Sequence, residues 1–155
     1  MDRSTLSLSL LRGSVSPDEA ADQGAHRFRY AVFFWDGAFE DSGVVYEAGA
    51  LNVPVCTAEG LLPRASLLSC TDPRAVIDTV KLAEDGSGDV IVRLYESMGG
   101  QRRTRLHVPG CAVAAWRCAL SEERQQVLPL EDGAVCLELH PFEIATVRLA
   151  LGKPA

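Results

Sequence analysis

Between residues 75 and 100, apolar side chains recur at every second position on either side of a turn cluster. Val76, Val80 and Leu82 share one parity in the first run. Val90, Val92 and Leu94 share one in the second, with Asp89, Ile91, Arg93 and Tyr95 between them. Period two puts one row of side chains on one face of a strand. Glu84-Asp85-Gly86-Ser87-Gly88 contains the glycines that a tight reversal needs. The pattern predicts a β-hairpin with one face on a core. An isolated hairpin is marginal in water, so neighbouring segments have to complete the sheet.

Those neighbours read as short strands divided by turns. Residues 66–70, 103–108, 112–119, 126–128, 134–139 and 142–151 are extended in pattern. Turns fall at Thr71-Asp72-Pro73, Met98-Gly99-Gly100, Pro109-Gly110 and Glu131-Asp132-Gly133. Many brief strands at short spacing indicate a two-layer antiparallel β-sandwich, with Val92, Leu94, Leu137 and Ile144 in its core. The chain before it is patterned differently. Residues 5–12 alternate, with Leu6, Leu8 and Leu10 on one parity, and read as a half-buried strand. Residues 13–24 are an acidic, turn-rich loop. Residues 26–34 are aromatic and extended, with Phe28, Tyr30 and Val32 on one side. From Phe39 to Leu51 the period changes: Val44, Val45, Ala48 and Leu51 fit a short helix, capped by Asp41-Ser42 and ended by Asn52 and Pro54. Extended structure resumes over residues 53–57. The fold class is therefore mostly β: an antiparallel β-sandwich over residues 63–155, preceded by a strand–loop–strand–helix–strand piece over residues 1–62. That first piece looks too small for a core of its own and reads as the end of a larger sandwich domain.

Composition narrows the function classes. The chain has 155 residues, 47% of them hydrophobic, a globular balance. A net charge of −6 argues against a general nucleic-acid binder. Arg102, Arg103 and Arg105 form one short basic run, which reads as a solvated strand edge. No segment has the pattern of a secretory leader or the length of a membrane span. Five cysteines (Cys56, Cys70, Cys111, Cys118 and Cys136) are odd in number and contain no CxxC pair. They signal neither zinc nor a redox dithiol, and read as buried free thiols in a reducing cytoplasm.

Candidate chemistry is sparse. A glycosidase needs two carboxyl groups at a fixed separation, and Asp18, Glu19, Asp22, Glu40 and Asp41 sit in no motif that fixes such a pair. There is no G-x-S-x-G elbow. His26, His107 and His140 have no partnered acid and nucleophile beside them and read as ordinary strand residues. Gly99-Gly100 lies between two strands rather than before a helix, so it is no phosphate loop. Tyr30, Phe33, Phe34 and Trp35 suit either sugar stacking or apolar contact with another domain. No catalytic or metal-binding residue is assigned.

Several stretches resemble one family. They are Leu8-Ser9-Leu10-Leu11-Arg12; Pro17-Asp18 with Ala21-Asp22-x-Gly24-x-His26-x-Phe28-x-Tyr30-Ala31; Gly43-Val44-Val45; and Leu51-Asn52-x-Pro54. Further on come Ala83-Glu84-Asp85-Gly86, Arg93-Leu94-Tyr95-Glu96, Leu128-Pro129-Leu130 and Pro141-Phe142-Glu143-Ile144-x-Thr146. In order and spacing, over nearly the whole chain, they resemble the C-terminal portion of glycoside hydrolase family 38, the class II α-mannosidases, in its cytosolic and bacterial branch. Members tend to carry Pro-His where this chain has Phe34-Trp35.

The resemblance implies a non-catalytic C-terminal region of an α-mannosidase. In the family, the zinc ligands and the aspartate nucleophile belong to an N-terminal α/β domain, which nothing here matches. The resemblance thus implies no cofactor in this chain, zinc in the catalytic domain as partner, α-mannosides or oligosaccharides as substrate, no nucleic-acid or membrane partner, and a cytoplasmic location. A free-standing carbohydrate-binding β-sandwich module is the alternative, and an intact small hydrolase a third reading. The long loop between Arg12 and His26 is among the best-matching stretches. Arg12, a planar fork of donors, and Asp22, an acceptor for paired hydroxyls, are the candidate contacts to the substrate groove.

Overall fold

The computed structural model describes residues 5–53, 57, 59–60 and 66–152. Pro54, Cys56, Pro63 and Arg64 lie outside these residues, as does most of the predicted extended return over residues 53–57. The chain divides into two units, residues 1–44 and 45–155.

In the first unit, residues 5–12 and 26–34 form no ladder among the described residues, contrary to the strands their alternation predicts. Their apolar side chains are exposed, Leu6 and Phe34 both at 87%. Period two specifies a strand only where a partner strand and a layer to bury against exist. The described residues of this unit supply neither. Order here is local. Asp18 Oδ1 accepts the N–H of Ala20 at 2.9 Å, and the N–H groups of Ala21 and Gln23 donate to the carbonyls of Asp18 and Ala20. A short 3-10 helix, Phe39–Asp41, is followed by the predicted helix α1, Val44–Asn52, whose residues from 45 onward belong to the second unit. Ser42 holds its start: its Oγ accepts the N–H of Val44 at 3.2 Å. None of the helix's residues is fully buried.

The second unit contains the sandwich. Its strands are β1 (Ser69–Cys70), β2 (Ala75–Leu82), β3 (Val90–Glu96), β4 (Arg102–His107), β5 (Ala112–Cys118), β6 (Arg124–Leu128), β7 (Leu130–Glu131), β8 (Ala134–Leu139) and β9 (Ile144–Leu151). They form two antiparallel layers, a four-stranded sheet ordered β1-β4-β8-β7 and a five-stranded sheet ordered β2-β3-β9-β5-β6. The predicted hairpin is β2–β3. Val92 faces Val147 and Leu94 faces Ala145 across β3–β9, while Leu106 faces Val135 across β4–β8. These residues, with Leu137, Leu139 and Leu149, are the core between the layers. The β7–β8 reversal is a two-residue loop with positive φ at both positions, Asp132 at 49° and Gly133 at 68°. Asp-Gly is the pair such a turn favours.

Two expectations about facing fail. Ile144 is 66% exposed rather than in the core. It lies opposite Tyr95 on the outer face, because β9 turns its Ala145, Val147 and Leu149 inward. In β2 the parity breaks at Asp78, where the register slips between Ile77 and Thr79. Ile77 therefore faces Leu94 and packs on the core, and Val76 does not. Val80 and Leu82 oppose Val92 and Val90, yet they are 54% and 67% exposed on this edge strand. Among the described cysteines only Cys118 is buried; Cys70 is half-buried, and Cys111 and Cys136 are exposed. No helix among the described residues is long and apolar enough to cross a membrane.

Candidate functional site

Arg12 and Asp22 are both exposed, in backbone without regular structure, and no hydrogen bond or ion pair joins them among the described residues. Asp22 adopts a left-handed backbone, φ 59°, and its carbonyl oxygen lies 2.7 Å from His26 Nε2. A Cβ added at Gly13 would meet the carbonyl of Ala21 at 4.0 Å, so the two ends of the loop approach each other. Beyond it, Phe33 and Trp35 stack with ring centroids 6.4 Å apart, and Trp35 meets Phe39 edge-on at 6.0 Å. All three rings are exposed.

The sandwich carries a second constellation on the outer face of the five-stranded sheet. Ile91 points outward there and is nonetheless fully buried. Charged side chains from the β2–β3 and β5–β6 loops roof it. Arg148, beside Ile91 on β9, donates from Nε to Asp89 at 2.7 Å. From Nη2 it donates to Asp85 at 2.7 Å and to Ser87 at 2.8 Å. Arg124 also donates to Asp89, at 2.9 Å, and lies 3.9 Å above the Trp116 ring. Glu122, in a left-handed backbone at φ 70°, pairs with Lys81 at 2.8 Å and accepts the N–H of Glu84 at 2.9 Å. Arg148 on β9 and Arg124 on β6 hold the β2–β3 loop, and Glu122 ties the β5–β6 loop to Lys81 on β2 and to the N–H of Glu84, so the network fastens two loops to the sheet.

At the far end of the same sheet, Glu96 occupies the inward parity of β3 and is 1% exposed. A charge at such a position is costly unless fully satisfied. Its carboxylate accepts the N–H groups of Met98 (3.0 Å), Gly99 (2.6 Å), Gly100 (3.2 Å) and Phe142 (3.1 Å). It thereby ties the β3–β4 loop to the β8–β9 turn. Phe142 is left-handed at φ 57°, which costs an L-residue about 1–2 kcal/mol. Gly99 leaves room for its ring: a Cβ there would lie 2.7 Å from Phe142 Cζ. Beside it is a cavity of about 470 Å³ lined by Asp78, Arg93, Tyr95, Leu120, Phe142 and Ile144 among others.

The electrostatics of these groups keep their carboxyls ionised. Burial pushes the Glu96 carboxyl up, but the N–H groups of Phe142, Met98, Gly99 and Gly100 together outweigh it and hold the group below its ordinary value. Hydrogen bonds from Lys81 and from the Glu84 N–H hold Glu122 down, and those from Ser87 and Arg148 hold Asp85 down. A general acid needs the opposite shift. Burial raises the thiols of Cys70 and Cys118, whereas a nucleophilic cysteine needs a depressed value. Among the described residues, no three His, Cys, Asp or Glu side chains converge to hold a metal ion.

Residue patterning missed the roles of Glu96, Phe142, Glu122 and Arg148. The signal available was a charge on apolar parity: Glu96 follows Val92 and Leu94 at period two. Both Glu96 and Phe142 also fall inside stretches that resemble the family.

Comparison with known proteins agrees. Residues 74–147 match the family model described as the glycosyl hydrolases family 38 C-terminal beta sandwich domain. Alpha-mannosidase 2C1 of Mus musculus is 36% identical over 96% of this chain, and that of Homo sapiens is 35% identical over 97%. Alpha-mannosidase G of Dictyostelium discoideum is 31% identical over 92%. The chain spans 15% of the length of the mouse and human relatives. The two-layer sandwich, the matched family model and the near-complete overlap with these relatives place this chain in the C-terminal β-sandwich region of glycoside hydrolase family 38.

Proposed function

We propose that this chain serves as the non-catalytic C-terminal region of a cytoplasmic α-mannosidase. It packs against a catalytic domain that hydrolyses α-mannosides and is not contained in this chain. The observation that carries the reading is the overlap of 96% of the chain with an α-mannosidase at 36% identity. The internally satisfied carboxylates of the sandwich support it, since they hold loops and offer no proton donor. In this reading residues 1–62 end a larger sandwich domain and residues 63–155 form the C-terminal one. The exposed alternating segments in residues 5–34 then bury their apolar side chains against that larger domain. The loop from Arg12 to His26 faces the substrate groove.

The test is turnover of an aryl α-mannoside. The chain alone should show none above a heat-killed control, with or without zinc. Together with an α-mannosidase catalytic polypeptide, joined to it or added separately, it should raise that polypeptide's activity or stability. Chelator-sensitive turnover by the chain alone would make it an enzyme in its own right. Saturable mannoside binding by the chain, with no effect on any catalytic polypeptide, would make it a free-standing binding module.

A further inference from the structure

Near one end of the five-stranded sheet's outer face, three side chains turn their apolar surface to solvent: Leu120 (66%), Phe142 (69%) and Ile144 (66%). They line the cavity of about 470 Å³ beside Arg93 and Tyr95. At that exposure the Phe142 ring adds little burial to the sandwich, yet the fold is built to hold it. Its left-handed backbone is fixed by the bond from its N–H to buried Glu96, and Gly99 leaves the space its ring occupies. Unusual backbone maintained beneath an exposed aromatic ring marks a surface shaped for a partner.

We propose that Phe142, Ile144 and Leu120 are the seat of the remaining, larger part of the α-mannosidase polypeptide, with Phe142 as its anchor. The inference rests on the function proposed above and names the surface through which it works. The occupant follows from two observations. In relatives, the region matching this chain is 15% of the polypeptide, so most of the protein is available as a neighbour. Of the polar groups around the cavity, Arg93 donates from Nη2 to the carbonyl of Leu120 and pairs with Glu122, Asp78 accepts from Thr79, and Glu96 accepts its N–H groups, while the buried Nε of Arg93 has no partner among the described residues. Leu120, Phe142 and Ile144 leave open apolar surface here, which suits an apolar protein surface better than a hydroxyl-rich ligand.

Hydrogen exchange tests this on the whole chain, alone and with the catalytic polypeptide joined or added. Amides of residues 93–97 and 142–146 should gain at least tenfold protection in the assembly. The variant Phe142→Asn with Ile144→Thr keeps the left-handed and strand preferences of the two positions. It should leave the melting temperature of the chain alone nearly unchanged and abolish that gain. Protection elsewhere but not here would overturn the surface and leave the proposed function standing. No protection anywhere would overturn both. Shifts of Phe142 resonances when methyl α-mannoside is added to the chain alone would make the surface a sugar site instead.

Discussion

Glu96 is a carboxylate with four N–H donors around it and the guanidinium of Arg102 at 3.8 Å. Its pKa in the fold lies below its ordinary value. In the unfolded chain Glu96 therefore takes up a proton at a pH where the folded chain still holds it ionised. Its contribution to stability is complete above the ordinary glutamate range, near ~4.3, and is lost as the pH falls through the lower folded value. Glu96→Gln keeps the shape but sets an amide NH2 among N–H donors, at a cost of about 2–3 kcal/mol at neutral pH. Denaturant midpoints of the two proteins should converge as the pH falls below about 4. A gap that stays constant down to pH ~2 would mean that Glu96 acts through packing and not through charge.

At the scale of a strand, what counts is which side of each element meets the other layer. Leu94 is fully buried and packs with Val92, Ala145 and Val147, whereas Ile144, one residue before Ala145 on β9, is 66% exposed. Leu94→Ala should cost about 2–5 kcal/mol, and Ile144→Ala less than about 0.5 kcal/mol in the chain alone. Equal losses in a urea titration would show that β9 buries the opposite face. The contrast also shows how far patterning reads. Val90, Val92 and Leu94, and Val135, Leu137 and Leu139, alternate without interruption, and the strands lie where the alternation puts them. In β2 a single extra residue, Asp78, reverses the parity, and period two carries no mark of it. At β9 the parity of Ala145, Val147, Leu149 and Leu151 is wholly apolar and that of Ile144 also holds Thr146 and Arg148, so alternation over the full strand picks the buried face, and a single apolar residue at its start misleads. Residues 5–12 alternate as well as any strand in the sandwich, yet a pattern cannot supply the partner strand it needs. The site was hidden for a related reason. Glu96 and Phe142 act through backbone N–H groups and a left-handed turn, and neither leaves a spacing that side-chain chemistry would flag.

Over the whole molecule the two units differ in how they satisfy their own surfaces. The sandwich closes a core between its two layers and pairs many of its charges with one another. Residues 5–34 expose Leu6, Leu8, Val15, Tyr30, Val32 and Phe34 at 62–87%, a density of apolar surface that isolated soluble domains avoid. In the function proposed above, the larger part of an α-mannosidase covers that surface and the loop from Arg12 to His26 faces its substrate groove. Arg12 and Asp22 are exposed and make no hydrogen bond or ion pair with each other, so neither is needed to hold the loop by that route. In the assembled α-mannosidase, Arg12→Ala and Asp22→Ala should then lower kcat/KM at least several-fold, with Tm changed by no more than about 1–2 °C, as for surface substitutions that cost little stability. Loss of a bidentate contact to sugar hydroxyls would raise KM, whereas loss of a contact that forms only in the transition state would lower kcat. Wild-type kinetics in both variants, or losses that track a fall in Tm, would mean that the loop is a surface turn held by Asp18 and the Ala20–Gln23 reversal, and Arg12 and Asp22 would no longer be contacts to the groove.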